Sequence, residues 1–279
     1  MAAWKELVLG TKGEFSQVAD GFADIELRIG DPTYFFRGQS NADWGLVPAL
    51  SRIVNDVNYE DQLIIEKLGT VDFQQRAHLW LPQGMMSNDN ENWRWLESWT
   101  LMQHHGAPTR MLDWTRSLFV ALYFAVRENQ DIDGAIWVAG GLTPFATVPN
   151  VHEEEKRFFT IDEPANTTIA ATKLSRLSER MIAQQAWCTV ADRLDVDHAD
   201  ALLATLDDEQ RREQQQAVEG DSETTATLMK LIIPAEMKAH HLCMLRGMNI
   251  TAASLFPGID GIGASIRDAA LIRTYSSSI

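Results

Sequence analysis

The sequence predicts an α+β protein, a small, mixed, mostly antiparallel sheet surrounded by helices. Three observations carry this. Short apolar runs at Trp4–Leu9, Tyr34–Phe36, Gly134–Ala139 and Leu228–Ile233 have the length and composition of strands. Longer segments between them return apolar residues at three- and four-residue steps, the period of an amphipathic helix. Finally, 279 residues at 45% hydrophobic content are enough to bury a real core.

Taken in order, Trp4–Leu9 reads as a first strand. Glu14–Ile29 follows as a helix with Phe15, Val18, Phe22 and Ile25 on one face, ended by Asp31 and Pro32. Tyr34, Phe35 and Phe36 form a strand that runs into Arg37-Gly38-Gln39, and Leu46–Arg52 reads as an irregular segment or short strand. Tyr59–Trp80 is helical, with Leu63, Ile64, Leu68, Val71 and Phe73 recurring. Gly84–Glu91 is a loop, and a second helix runs from about Asn92 to His105 with Trp93, Trp95, Leu96, Trp99 and Met102. These aromatics read as core, because an acidic protein makes a poor single-strand stacking platform. The stretch QHHGAPTRMLDWT at 103–115 then leads as a loop into an apolar helix, Arg116–Glu128, and Gly134–Ala139 is a buried strand.

Gly140–Asn166 is loop-rich, with a solvated charged run HEEEKR at 152–157, and Ser178–Val190 is of mixed, partly strand-like character. Residues 191–223 hold eleven Asp or Glu against three Arg, a net of −8 out of −15 for the chain. With Leu202, Leu203 and Leu206 they read as a solvent-facing helical insertion in one 1–279 domain, partly mobile or able to meet a protein partner. Leu228–Ile233 is the last strand, Pro234–Gly247 a helix, LFPGIDGIG at 255–263 a turn, and a short helix closes the chain.

The charge and a pI of about 4.8 oppose non-specific nucleic-acid binding, whose affinity rests on neutralising phosphates. Two cysteines, Cys188 and Cys243, give no disulfide framework and suggest a reducing compartment. The N-terminal MAAWKELVLGTKGEF lacks an apolar targeting core, and no stretch has the length needed to span a bilayer, so a cytoplasmic protein is expected.

The polar groups beside the most hydrophobic segment need partners or a cleft. His104 and His105 project about 100° apart on a helix, and Gly106 with Pro108 supplies an end there. One histidine caps the last carbonyls while the other packs, or one of them meets a ligand as acid or base. Arg110 and Asp113 either brace one another, or Asp113 orients a histidine. Gln184 beside apolar residues needs partners for both ends of its amide, which a backbone clamp supplies. Arg37-Gly38 at the end of a strand suits an anion and a close backbone approach, or else a surface ion pair at a turn. His240, His241 and Cys243, with Cys188 or His104, show none of the usual zinc spacings, so no metal site is expected. Serine-nucleophile, Walker A and dinucleotide glycine signatures are absent.

FFRGQ at 35–39, LVPALSR at 46–52 and QHHGAPTRMLDWT at 103–115 with the following ALYFA resemble the FRG domain, a family named for its (F/Y)RG motif. RMIAQQAWCTV at 180–190 is similar to its R-I-x-x-Q-x-G-x-F-T element and LFPGIDG at 255–261 to its closing signature, so the resemblance spans about 30–265. Ala186 stands where the family has glycine, Cys188 where it has phenylalanine and Met111 where it has leucine. If backbone meets a ligand at 186, the extra methyl group narrows the pocket.

The order of elements is in turn similar to ADP-ribosyltransferase-like folds. That resemblance implies NAD as substrate, with Arg37 on the pyrophosphate, Gly38 on the nicotinamide amide, and Gln39, Thr109 and Arg110 lining the cleft. His104 or His105 would then meet the ribose. Gln184 would stand in the catalytic glutamate's place, where it offers no negative charge unless Glu179 or Asp113 supplies one. Three readings follow from the sequence: an NAD-cleaving or ADP-ribosyl-transferring enzyme, a non-catalytic module binding a nucleotide or protein partner, and a metal-independent nuclease or phosphodiesterase using the histidines.

Overall fold

A computed structural model describes residues 4–29, 34–77, 79–80, 95–140, 158–161, 169–172, 178–220 and 226–276. The readings at 84–91 and 152–157, and most of the loop-rich 140–166, lie outside the described residues.

The fold is α+β. Its strands are β1 (Lys5–Val8), β2 (Phe35–Gln39), β3 (Met111–Thr115), β4 (Gly134–Ala139), β5 (Ile169–Thr172), β6 (Ala186–Ala191) and β7 (Leu228–Ile233). They form one mixed sheet in the order β1-β7-β4-β2-β3-β6-β5. The β1–β7 pair is parallel and every other pair antiparallel. The helices are α1 (Lys12–Ile29), α2 (Ala49–Val54), α3 (Tyr59–Ala77), α4 (Trp95–His104), α5 (Leu118–Val126), α6 (Glu179–Ala183), α7 (His198–Ala204), α8 (Asp208–Glu219), α9 (Ala235–Gly247), α10 (Ala252–Leu255) and α11 (Ile259–Ser276).

Alternation along the strands sorts side chains to two faces. On one face α5 lies against the centre of the sheet, which is why seven of its residues are buried and its sequence is apolar all round. Phe36, Ile136, Val138 and Leu231 meet it there, and α1, α9, α10 and α11 close the cluster. Further along the same face α4 covers Met111, Cys188 and Val190 with Leu96, Trp99 and Met102. The other face carries Phe35, Leu112, Trp114 and Trp137, covered by Leu46 and by Ala199, Ala201 and Leu202 around α7.

Several local readings change. Arg37, Gly38 and Gln39 lie inside β2, paired with Trp137, Ile136 and Ala135, not beyond its end. Residues 111–115, read as loop, are a strand, because β6 pairs with each of them. Ala49–Val54 is helical, and Gln184 and Gln185 link α6 to β6. The turn near 258 is short, since α11 begins at Ile259 and runs for 18 residues. The acidic segment is helical as expected, with an Asp207–Gln210 capping box starting α8 and Gly220 in the left-handed region ending it. Its inner side is not solvent-facing: His198, Leu202, Leu206, Gln214 and Ala217 are buried. The Gln214 amide accepts from the backbone of Thr227 and Leu228 and donates to the Leu228 carbonyl, tying α8 to the start of β7. Among the described residues no helix is long and apolar enough to cross a membrane.

Candidate functional site

β3, β6, α4 and α6 together form a small polar cleft of about 40 Å³. It is lined by Thr100, Gln103 and His104 from α4, Asp113 from β3, Arg180, Met181 and Gln184 from α6 and its end, and Ala186 and Cys188 from β6. Gly106, at φ +84°, turns the chain out of α4 just past His104 and His105. Asp113 is the exposed residue of an otherwise buried strand, and the Cys188 thiol donates to its Oδ1 at 3.6 Å. Burial, with the nearby Asp113 carboxylate, pushes the Cys188 thiol well above its usual range, so it stays a neutral donor.

His104 is held below its usual pKa by partial burial, then by Arg180 and His105, with Asp113 pulling the other way. It is therefore neutral near pH 7 and can accept a proton. The two imidazoles meet edge to face at 5.0 Å, but His105 is exposed and does not line the cleft. Arg180 stacks on Phe256, its guanidinium carbon 4.7 Å from the ring centroid, and donates no hydrogen bond from that guanidinium to any described residue. Gln184 makes one half of the expected amide clamp: its side-chain Nε2 donates to the Leu255 carbonyl at 3.0 Å, while its backbone carbonyl, not the side-chain one, accepts from Thr115 Oγ1 at 2.7 Å.

The remaining predicted site residues are elsewhere. Arg37 pairs in register with Trp137 and so projects from the face opposite the one carrying Asp113, Cys188 and α4. Its Nη1 donates to the Asp113 backbone carbonyl at 2.7 Å. The hollow expected between Arg37 and the two histidines is not formed, because the sheet intervenes. Gly38 is a packing requirement, since a β-carbon there would stand 1.8 Å from the Ala121 carbonyl oxygen; its closeness serves α5, not a ligand. Gln39 is buried, donating to the Gly45 carbonyl and accepting from the Trp137 indole. Thr109 is buried and donates to Gln103 Oε1.

Arg110 is wholly buried and braces the core. Nε and Nη2 take the two Glu66 oxygens, Nη1 donates to the carbonyls of Ala191 and Asp192, and Nη2 also to that of Phe158. All five of its donors are thus used. The pairing of Arg110 with Asp113 is not seen; Glu66, 44 residues away, takes that place.

Sequence reasoning passed over two groups. Arg180 lies one helical turn from Gln184, a spacing that sets both on one side of α6 and could have marked it. His198, assigned to a solvated insertion, is buried behind β3 and β6. Thr189 Oγ1 accepts from the Trp114 indole and is hydrogen-bonded to His198 Nδ1 at 2.9 Å. Burial, then the Arg37 and Arg110 charges, push His198 down to about 3. No local signal in the sequence marks it.

A larger groove of about 450 Å³ runs between α3 and α4, but Ile65, Phe73, Trp80, Trp99 and Met102 make it apolar. The Glu66 carboxylate facing it is already committed to Arg110. Among the described residues no group of three or more His, Cys, Asp or Glu is arranged to hold a metal ion.

Residues 32–134 match the family model of the FRG domain. Over this segment the chain is similar to the FRG domain. The matched residues take in β2, β3 and the helices α2 to α5 and end at Gly134, the first residue of β4, so the arginine and glycine of the FRG motif are the ones found inside β2 beneath α5. The 180–190 and 255–261 segments, which supply Arg180, Gln184 and Phe256, lie outside the matched residues. No curated protein and no solved structure matches the chain.

Proposed function

We propose that this FRG-domain protein is a binding module for a ligand of nucleotide type, one polar end of which enters the small cleft of His104, Asp113, Arg180 and Gln184. The observation that carries the reading is the state of these groups. Arg180 has a guanidinium without a hydrogen-bond acceptor among the described residues, Asp113 presents an exposed carboxylate, and His104 is neutral, its ring meeting His105 edge to face and hydrogen-bonded to no described residue. Groups that brace a fold are satisfied, as Arg110 and Gln39 are; groups left unsatisfied around a cleft are what a ligand uses. A guanidinium suits a phosphate, and a carboxylate accepts from ribose hydroxyls.

Thermal-shift measurements with NAD, ADP-ribose, ADP and adenosine test this. A saturating ligand should raise the melting temperature of the wild-type protein, and Arg180→Gln and Asp113→Asn should lose the rise. The absence of any shift across the series would end the proposal.

A second reading, that the same cleft cleaves NAD in the manner of an ADP-ribosyltransferase, is favoured by one observation. β2 and β3 meet at a single bridge, Phe36 with Thr115, so the sheet opens beside Arg37 and Asp113. Gln184 supplies no charge, and Asp113 is the one carboxylate lining the cleft. Asp113, not Gln184 or Glu179, would then stabilise an oxocarbenium-like transition state. Nicotinamide release by the wild type, abolished in Asp113→Asn, is the expected result; release that survives the substitution would refute it.

A further inference from the structure

We propose that the ligand of the cleft carries a phosphate or diphosphate group, and that Arg127 and Arg180, both stacked on Phe256, form its anion subsite. The proposal deepens the binding reading above and rests on it.

Arg127 ends α5, and Arg180 belongs to α6, at the cleft. Their guanidinium carbons lie 5.1 Å and 4.7 Å from the centroid of the same Phe256 ring. They are therefore no more than about 10 Å apart, a span that one or two phosphate groups can bridge. Gln184 Nε2 anchors the preceding residue, Leu255, so the ring is fixed relative to the cleft.

Among the described residues neither arginine finds a full set of hydrogen-bond acceptors. Arg180 donates no side-chain hydrogen bond to a described residue. Arg127 has a side chain only 15% exposed, its Nε is buried without a hydrogen bond, and its ion pair with Glu128 is stretched to 3.7 Å. Its other contacts are the faces of Tyr123 and Phe256. The Asp268 carboxylate takes the Tyr123 hydroxyl on Oδ2 at 2.6 Å and leaves Oδ1 buried without a hydrogen bond, so neither oxygen is paired with Arg127. Two like charges held close and partly out of water, each short of an acceptor, are costly unless an anion joins them. Stacking on an aromatic ring orients a guanidinium while leaving its N–H edge free, the disposition used for phosphate recognition. Asp113, across the cleft, suits the hydroxyl-bearing part of the same ligand and repels the phosphate from that end, so the ligand has one orientation.

The test is titration calorimetry of the full chain with pyrophosphate, ADP and adenosine, on wild type, Arg127→Gln, Arg127→Lys and Asp113→Asn, with circular dichroism to verify folding. Wild type should bind pyrophosphate and bind ADP more tightly than adenosine. Arg127→Gln should weaken pyrophosphate and ADP on the order of ten- to a hundredfold and leave adenosine unchanged. Arg127→Lys should recover part of the loss. Equal affinity of wild type and Arg127→Gln for ADP, or no pyrophosphate binding by wild type, would overturn the subsite. Adenosine binding that persists in wild type and disappears in Asp113→Asn would then leave the cleft itself standing.

Discussion

Gly38 lies beneath Ala121 so closely that a β-carbon on it would stand 1.8 Å from the Ala121 carbonyl oxygen. Gly134, in the neighbouring strand, meets the Ala125 carbonyl oxygen in the same way, at 2.3 Å. These two glycines let α5 rest on the backbone of β2 and β4. Gly38→Ala is therefore expected to destabilise the protein by about 3 kcal/mol or more, since the obstacle is backbone and cannot rotate aside. Urea denaturation checks this, with Gly106→Ala as the comparison. Gly106 has open space around it but φ +84°, so its cost should be nearer 1 kcal/mol.

Arg110 and Glu66 form a buried, bidentate pair with both side chains 1% exposed. Truncating either leaves the other charge in the core, so Arg110→Ala and Glu66→Ala should each cost about 3–5 kcal/mol. The Arg110→Met, Glu66→Leu double variant should recover much of the loss. An undisturbed melting temperature in Glu66→Ala would contradict the bracing role.

His241 is buried in the main core against Phe15, with neither ring nitrogen hydrogen-bonded. Burial, then the His240 charge, push it down to about 4. The folded-state value is depressed, so its contribution to stability is fully present above about pH 6.5 and is lost as the pH falls toward about 4. The loss should reach roughly 3 kcal/mol. His241→Leu should be more stable at neutral pH and fall less steeply, as measured by urea midpoints at about pH 7.5 and about pH 4.5. Parallel slopes for variant and wild type would disprove the assignment.

Gln184→Glu, the change that would install the residue an ADP-ribosyltransferase uses, should not create an efficient enzyme. It replaces the donor to the Leu255 carbonyl with a second acceptor, releasing α10 and Phe256 at a cost of about 1–3 kcal/mol. Melting temperature and nicotinamide release, read together, test this. A fully stable and strongly active variant would show the clamp to be dispensable.

The helices α1 and α9 and the strands β4 and β7 were legible because each buries an apolar face, and α5 because it is apolar all round; α3 was placed by an apolar pattern of which Leu63 is buried but Ile64 and Leu68 are exposed. The strand at 111–115 was not. Its strand character depends on β6, some seventy-five residues on, and the alternation Met111, Asp113, Thr115 is masked by the exposed Asp113. The same reasoning explains the site. His104, Asp113 and Gln184 could be singled out because polar groups beside apolar helices must be explained, and the fold brings the three to one cleft. Arg37 was joined to them wrongly because adjacency in a motif says nothing about which face of a sheet a side chain takes. Arg110 looked functional for a related reason: its partner Glu66 belongs to a helix with no sequence link to it. His198 was hidden by the charge of its surroundings, since a segment net acidic overall can still turn one neutral imidazole inward.

The ladder order has a practical consequence for anyone wishing to isolate the FRG region. Residues 32–134 take in β2 and β3 but stop at the first residue of β4, so β2 loses its partner β4 on one side and β3 its partner β6 on the other. A fragment cut to the matched residues would therefore bear two raw strand margins, each rich in apolar side chains and unpaired amides, and would be expected to stick to itself and precipitate.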